Sequence, residues 1–540
     1  GFNDIRSLLH ERCLSTLGRE QVDCMEFSID TLQINRWLTE VREFRNIQEG
    51  LEPFPLDNVF DVRASVARIR LEGTYMEEDE LFDLKRSLET IIAVVKFLSV
   101  GEELPNGEIQ HTYPALYALS DGVATFPILV QRISQIIDKF GKMRDSASSD
   151  LLQIRRELAR VESSISRTLN SILHSAQNEG VVERDVTPTM RDGRLVIPVA
   201  PGMKRKISGI VHDESATGKT VFIEPTEVVE ANNKVRELEN EERKEIIRIL
   251  REFAKQVRPY VHEILDSYHF LALIDFIRAK AELARMLKAI EPEVKSEPHI
   301  DFIRAIHPLL QLALAKKQHS TINNDKPDVV IPLDIQLTID KHLLIISGPN
   351  AGGKSVCLKT VGLLQYMLQC GISIPVSERS TAGTFQNLMI DIGDEQSIEN
   401  DLSTYSSHLM NMKTMMKQAD SHTLILIDEF GTGTEPQIGG AIAEAVLKQF
   451  WKKQAWAVIT THYQNLKHFA EDHKGVVNGA MLYDRHEMRP LFQLAIGRPG
   501  SSFAIEIARK TGIPEEVIND ASAIVGSDYI QSDKYLQDIV

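Results

Sequence analysis

The residues most suited to chemistry form one loop pattern in the second half of the chain. Residues 348–355 read GPNAGGKS, a complete Gly-x-x-x-x-Gly-Lys-Ser pattern. In such a loop the first glycine makes the turn, and backbone N–H groups surround phosphates at the positive end of a helix. The run LLIIS precedes the loop and SVCLKTVGLLQYMLQ follows it, which gives the required strand and helix. We predict nucleotide binding by its eight residues: Gly348, Pro349, Asn350, Ala351, Gly352, Gly353, Lys354 and Ser355.

A second stretch, ESATGKT at residues 214–220, ends in the same Gly-Lys-Thr but does not qualify. The position five before Gly218 is Asp213, a carboxylate where the loop needs a glycine. The residues that follow, VFIEP, favour a strand rather than a helix. We interpret ESATGKT as a hairpin turn, in which Lys219 could contact the phosphate of a nucleic-acid backbone.

Acidic residues that match the complete loop lie downstream of it. The apolar run Leu424-Ile-Leu-Ile ends in Asp428 and Glu429. We predict that Asp428 holds Mg²⁺ together with the Ser355 hydroxyl, and that Glu429 orients and deprotonates the attacking water. A later strand pattern, AWAVITT, ends at His462, which we predict to sense the γ-phosphate. Each element alone is an ordinary strand exit, but together they predict ATP hydrolysis.

The composition of the whole chain limits its partners and its location. The 540 residues are 43% hydrophobic and carry a net charge of −16, which excludes a uniformly basic nucleic-acid binder and requires a local patch for any polyanion. Four cysteines without metal-ligand spacing indicate reduced thiols. No signal peptide or membrane-length apolar run is present, so we predict a cytoplasmic location and no membrane partner.

The elements that must position these residues change in texture along the chain. Helix-period patterns fill residues 1 to about 130, and short β-branched runs lie between Thr187 and Glu227. Charged stretches on both sides of those runs have apolar residues three and four apart, typical of two coiled-coil arms that pair antiparallel. From about residue 300, strands alternate with helices, which predicts an α/β domain. The seam residues of the arms are Leu151, Ile154, Leu158, Val161, Ile165, Thr168 and Ile172, then Val235, Leu238, Glu242, Ile246, Ile249, Phe253 and Val257.

Several segments, in their order, resemble a known family. GPNAGGKS, STYSSHLMNM, LIDEFGTGTEP and TTHY resemble the ATPase domain of MutS proteins, within the ABC superclass. HDESATGKTVFIEPTEVVEANNKVREL and AIHPLL resemble one subfamily, the second bacterial MutS type, which lacks the mismatch-reading and connector domains. The resemblance covers essentially the whole chain.

The resemblance implies a mixed fold. It has an all-α core and coiled-coil lever with a small β clamp insertion, followed by an α/β ABC-type P-loop ATPase domain. The predicted boundaries are 1–130 for the helical core, 131–183 for the ascending lever coiled coil, 184–228 for the β clamp, 229–260 for the descending lever coiled coil, 261–299 for the core return helices, and 300–540 for the ATPase with C-terminal dimerisation helices.

The resemblance also implies a homodimer whose two ATPase domains face each other. Ser403 and Thr404 would act in trans on the γ-phosphate of the partner's ATP, and Gln396 would bind nucleotide from the Q-loop region. Leu402 stands where the usual signature has a basic residue. The segment IGRPGSSFAIEIARKTGIPEEVINDA resembles the dimerisation helices. Full-length members usually end in a small nuclease-like (Smr) domain, so we do not expect endonuclease activity from a sequence ending at Val540.

The function that we expect is an ATP-hydrolysing dimeric clamp on structured nucleic acid. Subfamily members are associated with branched DNA and suppression of homologous recombination, and with detecting collided ribosomes and splitting them by an ATP-driven conformational change. Branched DNA and the ribosomal RNA of stalled ribosomes both stay open as partners. The alternative is a non-catalytic or tethering ATP-bound scaffold of SMC-like type, against which the intact Glu429 argues. The candidate clamp contacts to phosphate are Arg191, Arg194, Lys204, Arg205, Lys206 and Lys219.

Overall fold

The structure is a computed structural model and describes residues 1–320, 329–349, 353–392, 404–484, 487, 489–501 and 503–526. Its helices are α1 Phe2–Arg12, α2 Thr16–Asp23, α3 Thr31–Glu49, α4 Arg63–Arg68, α5 Glu78–Leu98, α6 Pro114–Ser120, α7 Pro127–Ile136, α8 Ser149–Asn178, α9 Thr226–Val257, α10 Val261–Leu287, α11 Pro308–Ser320, α12 Lys354–Gln369, α13 Thr404–Gln418, α14 Pro436–Lys452, α15 Gln464–Asp472, α16 Ala504–Lys510 and α17 Glu515–Val525. Its strands are β1 Gly101–Glu103, β2 Ile109–His111, β3 Thr189–Arg191, β4 Arg194–Val199, β5 Gly209–Glu214, β6 Val221–Pro225, β7 Glu293–Lys295, β8 Ile300–Ala305, β9 Leu333–Leu337, β10 Lys341–Ser347, β11 Thr381–Gly383, β12 Asn387–Asp391, β13 Thr423–Ile427, β14 Trp456–Thr460, β15 Gly475–Asp484 and β16 Arg489–Ile496.

The chain divides into two compact units that each combine separate segments. One unit comprises Gly1–Phe54, Leu98–Ser120 and Ala272–Val540, and the other comprises Pro55–Phe97 and Asp121–Leu271. The mixture of helices and sheets agrees with the predicted mixed class, whereas the predicted domain boundaries stay predictions. Within the described ranges, no helix combines the length and the apolarity that crossing a bilayer requires.

The unit that contains the loop motif is built on a six-stranded sheet. Its strand order is β12-β13-β14-β10-β15-β16; the first five strands are parallel and β16 is antiparallel to β15. β13 and β14 are buried along their whole length. Helices cover both faces of such a parallel sheet, which is why its strands are nearly continuous apolar runs. Parts of α13, α14 and α15 pack on the sheet through Met412, Phe450 and Leu466, among others. The carboxyl ends of the parallel strands therefore meet at one edge, where α/β folds bind ligands.

The other unit contains the two long helices that the seam pattern predicts. α8 and α9 pack against each other antiparallel, because Arg155 near the start of α8 pairs with Glu242 in α9 while Leu173 near the end of α8 packs with Val228. The charged seam position Glu242 thus forms an ion pair across the helices, with its carboxylate 2.6 Å from the Arg155 guanidinium. The ion pair explains why an acidic residue interrupts the apolar seam.

A four-stranded antiparallel sheet lies in the chain between these two helices. Its order is β3-β4-β6-β5, and every residue of β6 is buried. ESATGKT forms the turn between β5 and β6, which confirms the interpretation as a hairpin turn. The Ser215 hydroxyl accepts the backbone N–H groups of Lys219 and Thr220, and Gly218 has a φ of 67°. The turn is therefore set by Ser215 and Gly218, and Lys219 remains exposed on it.

Candidate nucleotide site and nucleic-acid interface

The loop motif joins a buried strand to a helix, as its sequence predicts. β10 ends one residue before Gly348, and Gly353 is the N-cap of α12. Both glycines have positive φ, 138° and 91°, which side-chain-bearing residues rarely adopt. A Cβ at Gly348 would lie 3.1 Å from Met481, and one at Gly353 would lie 3.1 Å from Phe492. These positions therefore favour glycine for both conformation and space. Pro349 is buried between them, and Asn350, Ala351 and Gly352 lie outside the described residues.

Lys354 lies at the first turn of α12 with its ammonium buried. Its side chain is 2% exposed, and Nζ donates to the carbonyl oxygen of Gly348 at 2.7 Å. Burial lowers the pKa of Lys354 to about 8, against the opposing attraction of Glu429 and Asp428. A buried cation at a helix N-terminus is the arrangement that attracts a phosphate.

Two further basic side chains, on and near α15, surround this lysine. His462 Nε2 lies 3.3 Å from Lys354 Nζ, and burial together with the positive Lys354 and Lys467 lowers the pKa of His462 to about 4. His462 is therefore neutral at pH 7, so its Nε2 can accept a hydrogen bond from the Lys354 ammonium. Lys467 is 5% exposed and donates to the carbonyl oxygen of Gly500 at 2.7 Å. Two buried ammonium groups give this edge a positive potential that suits a polyanion.

The predicted acidic pair lies at the end of β13, which pairs with β14 in the sheet. The hydroxyl of Thr460 at the end of β14 donates to Asp428 Oδ1 and accepts the backbone N–H of Glu429 at 2.8 Å. Glu429 has a φ of 51°, a left-handed backbone that costs energy for a side-chain-bearing residue and is enriched at functional sites. The Glu429 side chain is exposed and Asp428 is half-buried. Their carboxylates therefore remain accessible at the edge of the sheet, on a backbone held by Thr460.

The start of α13 is tied to the neighbouring strand end. Asp391, 6% exposed at the end of β12, accepts hydrogen bonds from His408 at 2.7 Å and from Asn411 at 3.0 Å. The backbone carbonyl of Asp391 also accepts the N–H of Asp428 at 2.9 Å. One buried carboxylate thus fixes α13 to the strand beside the acidic pair. Of the predicted signature, Thr404 is the first residue of α13, while Gln396 and Ser403 lie outside the described residues.

An apolar cavity of about 360 Å³ opens beside the first turn of α12. Its walls include Gly353 and Val356 at the loop, His307 before α11, Phe492 of β16 and Met481 of β15. A cavity of this size and polarity accepts a planar base. Its position beside the glycine loop makes it the candidate site for the base of a nucleotide.

The predicted clamp cations differ in how free their charges are. Lys204, Arg205 and Lys206 lie in the connection between β4 and β5, and all three are exposed, as is Lys219. Arg191, with a 46% exposed side chain, stacks over the ring of Phe222 at 4.2 Å.

Arg194, the sixth of these cations, is held inside the sheet β3-β4-β6-β5. Its side chain is 12% exposed, and one guanidinium nitrogen donates to both carboxylate oxygens of the fully buried Glu224, at 2.7 and 2.9 Å. Another guanidinium nitrogen donates to Asn233. His212 and Asn232 bond the same carboxylate. Arg194 therefore neutralises the buried Glu224, and its charge, unlike that of the exposed lysines, is not available to bind phosphate.

Comparison with known proteins places this geometry in a family. The model of the family MutS domain V matches residues 344–527. Proteins named Endonuclease MutS2 are 36% identical over 98% of this chain in Geobacillus sp. (strain WCH70), 37% over 100% in Finegoldia magna, and 35% over 100% in Enterococcus faecalis. This chain belongs to the MutS2 family. It spans 64%, 65% and 66% of the length of those three relatives.

Several residues of this MutS2 site were not predicted from the sequence. Thr460 and Asp391 lie at strand ends that only the sheet order brings together, and Lys467 lies on α15. The segment TTHY contains Thr460 as well as His462, but its pattern predicts a role only for the histidine. The segment AIHPLL similarly contains His307, which the structure places in the wall of the apolar cavity. Matching segments alone did not show which side chains face the loop.

Proposed function

We propose that this chain binds ATP with Mg²⁺ and hydrolyses it at the carboxyl edge of the six-stranded sheet. The observation that carries the proposal is the buried ammonium of Lys354, held on the Gly348 carbonyl and bordered by His462. Asp428 and Glu429 directly follow β13, which β14 separates from β10 in the sheet, and their charges raise the pKa of the same lysine against the effect of burial. Membership of the MutS2 family supports the proposal.

The residue roles follow from the chemistry of each group. Lys354 and the backbone N–H groups at the start of α12 would bind the phosphates. Ser355 and Asp428 are oxygen donors of the kind that magnesium prefers, and the ion would neutralise phosphate charge. Glu429 would position a water and take its proton. His462, neutral at pH 7, would accept a hydrogen bond near the γ-phosphate.

We propose that the chain works as a homodimer, with Ser403 and Thr404 contributing to the partner's site. Exposed apolar residues support a partner surface at the chain's last described helix. Val517 and Ile524 are 54% and 84% exposed, and their spacing puts them on one face of α17, while Ile513, 44% exposed, lies just before the helix. Burying that apolar face in a dimer would remove it from water and so stabilise the dimer.

The nucleic-acid part of the proposal rests on the small sheet between α8 and α9. We propose that these helices act as a coiled-coil lever and that the sheet acts as a clamp. Lys204, Arg205, Lys206 and Lys219 would contact phosphates without reading bases. The clamp would act on branched DNA to suppress recombination, or on the ribosomal RNA of collided ribosomes to split them; both targets present shaped, phosphate-rich surfaces. The word endonuclease in the relatives' names refers to those proteins.

The test of the catalytic proposal is Glu429→Gln. The amide keeps the size of the side chain but cannot take a proton, so we expect ATP to bind with its usual affinity while turnover falls about 100-fold or more. Steady-state phosphate release and nucleotide binding are the measurements. The control is Glu471→Gln, which neutralises an exposed carboxylate near the end of α15. Unchanged turnover in Glu429→Gln would instead favour the non-catalytic scaffold.

The same variant separates the two nucleic-acid targets. Trapped with ATP, Glu429→Gln protein is incubated in parallel with four-way DNA junctions and with collided ribosomes, each against a linear-duplex or single-ribosome control. Selective retention of one target identifies it as the substrate. Equal retention of target and control would contradict recognition of structured nucleic acid.

A further inference from the structure

A second cavity, of about 240 Å³, lies in the unit that contains the nucleotide site but is lined by different residues. Its walls are formed mainly by α3 and α10, and by the end of α12 at Cys370. We call it the Lys280 cavity. Its apolar lining includes Trp37, Leu273, Phe276 and Ile277, and its exposed lining residues are Cys24, Glu26 and Arg36. The exposed group marks the side on which the cavity is open to solvent.

Two ionisable side chains in this wall are almost completely buried. Lys280 is 2% exposed and Glu40 is 4% exposed. Across the described residues, the structure shows neither a hydrogen bond to these two side chains nor an ion pair between them. The Lys280 ammonium instead lies 4.5 Å from the ring centre of Phe276 and 6.0 Å from that of Trp37.

An ammonium in this position calls for a further partner. Buried polar groups in proteins are nearly always hydrogen-bonded, and a buried charge without a partner is strongly disfavoured. Two aromatic faces attract the cation but do not accept its three N–H donors as oxygens would. Burial accordingly lowers the pKa of Lys280 to about 8, even with Glu40 nearby to raise it. An oxyanion in the cavity would satisfy the donors and stabilise the charge.

We propose that the Lys280 cavity binds a small organic anion, with a carboxylate or phosphate head group on the Lys280 ammonium and an apolar body of single-ring size against Phe276 and Ile277. Arg36 supplies a second cation at the open side. The small volume excludes a nucleotide, whose sites usually measure about 300 Å³ or more.

The cavity has a physical connection to the nucleotide loop through α12. Cys370, in the cavity wall, is the C-cap of the helix whose first residue is Lys354. The preceding residue, Gln369, donates its side-chain amide to the carbonyls of Ser28 and Phe385. A ligand in the cavity would therefore contact the far end of the helix that carries Lys354 at its start. Binding itself does not depend on the proposed ATPase activity.

The test uses the full chain and three single-ring probes. Benzoate and phenyl phosphate carry the two head groups, and benzamide is the neutral match. Calorimetry and thermal shift at neutral pH should show binding of at least one anion with a one-to-one ratio, and no comparable binding of benzamide. Lys280→Met removes the charge at similar volume, and we expect it to weaken binding of that anion about 10- to 100-fold.

Controls separate this result from unfolding and from a general salt effect. Lys280→Met removes the cation near the buried Glu40, which avoids an unpaired charge by staying protonated, so we expect the variant to fold, and circular dichroism checks this. The control variant is Lys413→Met, which changes an exposed lysine on α13 and should bind the probes like the wild type. If only benzoate binds, the head group is a carboxylate, and if only phenyl phosphate binds, it is a phosphate. No binding of either anion at millimolar concentration, or binding that Lys280→Met leaves unchanged, would overturn the proposal. Both readouts are independent of ATP turnover, which Glu429→Gln tests.

Discussion

At the scale of single residues, Thr460 connects the two acidic side chains that the proposed hydrolysis needs. Its one hydroxyl donates to Asp428 and accepts from the backbone of Glu429. By donating, the hydroxyl fixes the carboxylate of Asp428, which is proposed to hold magnesium. By accepting, it fixes the backbone of Glu429, the proposed base. Thr460 thus acts through its neighbours, as a positioning residue.

Thr460→Val keeps the shape of the side chain and removes the hydroxyl. We expect kcat for ATP to fall about 10- to 100-fold, since a buried hydrogen bond of about 1–3 kcal/mol is removed where geometry matters. KM should change little, because Lys354 still binds the phosphates. Steady-state kinetics measure both. The control is Thr423→Val, which removes an equally buried hydroxyl at the start of β13, where it bonds Asp420. Equal losses in the two variants would show an effect of strand stability alone.

Glu40 should make stability depend on pH. Burial outweighs the attraction of Lys280 and raises the pKa of Glu40 to about 7, above about 4.3 for an exposed glutamate. Between these values the folded chain holds a proton that the unfolded chain has released, so folding loses stability as the pH rises. Relative to Glu40→Gln, which cannot titrate, the wild type should lose stability from about pH 5 to about pH 7, by at most about 3 kcal/mol.

Thermal melting of both proteins across that pH range is the measurement. Glu49→Gln, an exposed change on the same helix, should melt in parallel with the wild type at every pH. If Glu40→Gln also follows the wild type in parallel, Glu40 is ionised in the folded chain and the raised pKa is wrong.

At the scale of elements, the sheet β3-β4-β6-β5 presents Lys204, Arg205, Lys206 and Lys219 on its loops, while its strands contribute the hydrophobic core. Ile197, Val221 and Ile223 pack with residues of α8 and α9, so the loop that carries Lys204 to Lys206 can change without loss of the fold. The sequence pattern predicted this β module and the exposed cations on it. It could not show that Arg194 neutralises Glu224, because the two residues come together only through the pairing of β4 and β6.

Reversing Lys204, Arg205 and Lys206 to Glu should weaken nucleic-acid binding uniformly across sequences. Each phosphate that the variant no longer neutralises reduces the salt slope of log K by about 1, so we expect a slope lower by up to about 3. Fluorescence anisotropy at several salt concentrations measures it. The matched control reverses Lys413, Lys417 and Lys474, exposed lysines in the other unit, with the same change in net charge. A slope that falls equally in both variants would indicate net charge rather than a clamp.

At this scale the sequence predicts the strands and helices that depend on neighbouring residues. It does not predict contacts that depend on the pairing of strands distant in the chain. The strand and helix around GPNAGGKS follow from apolar patterning. The placement of Asp391 beside Asp428 follows from the parallel pairing of β12 with β13. Residues 137–148, within the predicted arm 131–183, hold a bridge between Ile137 and Met143 and a short 3-10 helix at Asp145–Ala147 instead of a continuous α-helix, since α8 begins only after its N-cap Ser148. Hydrophobic period alone does not mark such a cap.

At the scale of the whole molecule, the proposed activity would require a second copy, because under the proposal Ser403 and Thr404 contribute to the partner's nucleotide site. Val517→Glu together with Ile524→Glu places two charges on the exposed apolar face of α17. We expect the variant to sediment as a monomer at concentrations where the wild type is a dimer, and to lose most ATP turnover. Charges in an apolar interface are costly because they must be desolvated. Sedimentation velocity and phosphate release are the measurements.

Leu32→Glu with Leu51→Glu is the matched control for the dimer. Both leucines are highly exposed, at 78% and 104%, and lie elsewhere in the same unit. This variant should keep the sedimentation coefficient of the wild type. A wild type that remains monomeric with ATP at all concentrations would contradict the proposed dimer and, with it, the trans role of Ser403 and Thr404.

The left-handed backbone of Glu429 has a consequence for how this position would evolve. A glycine there would adopt the φ of 51° without strain, and removing that strain would stabilise the fold by about 1 kcal/mol. Retaining glutamate therefore goes against folding, and only selection for its carboxylate would maintain it. In a lineage that had abandoned nucleotide turnover, we would expect this position to drift to glycine or asparagine early, while the buried strand before it stayed the same.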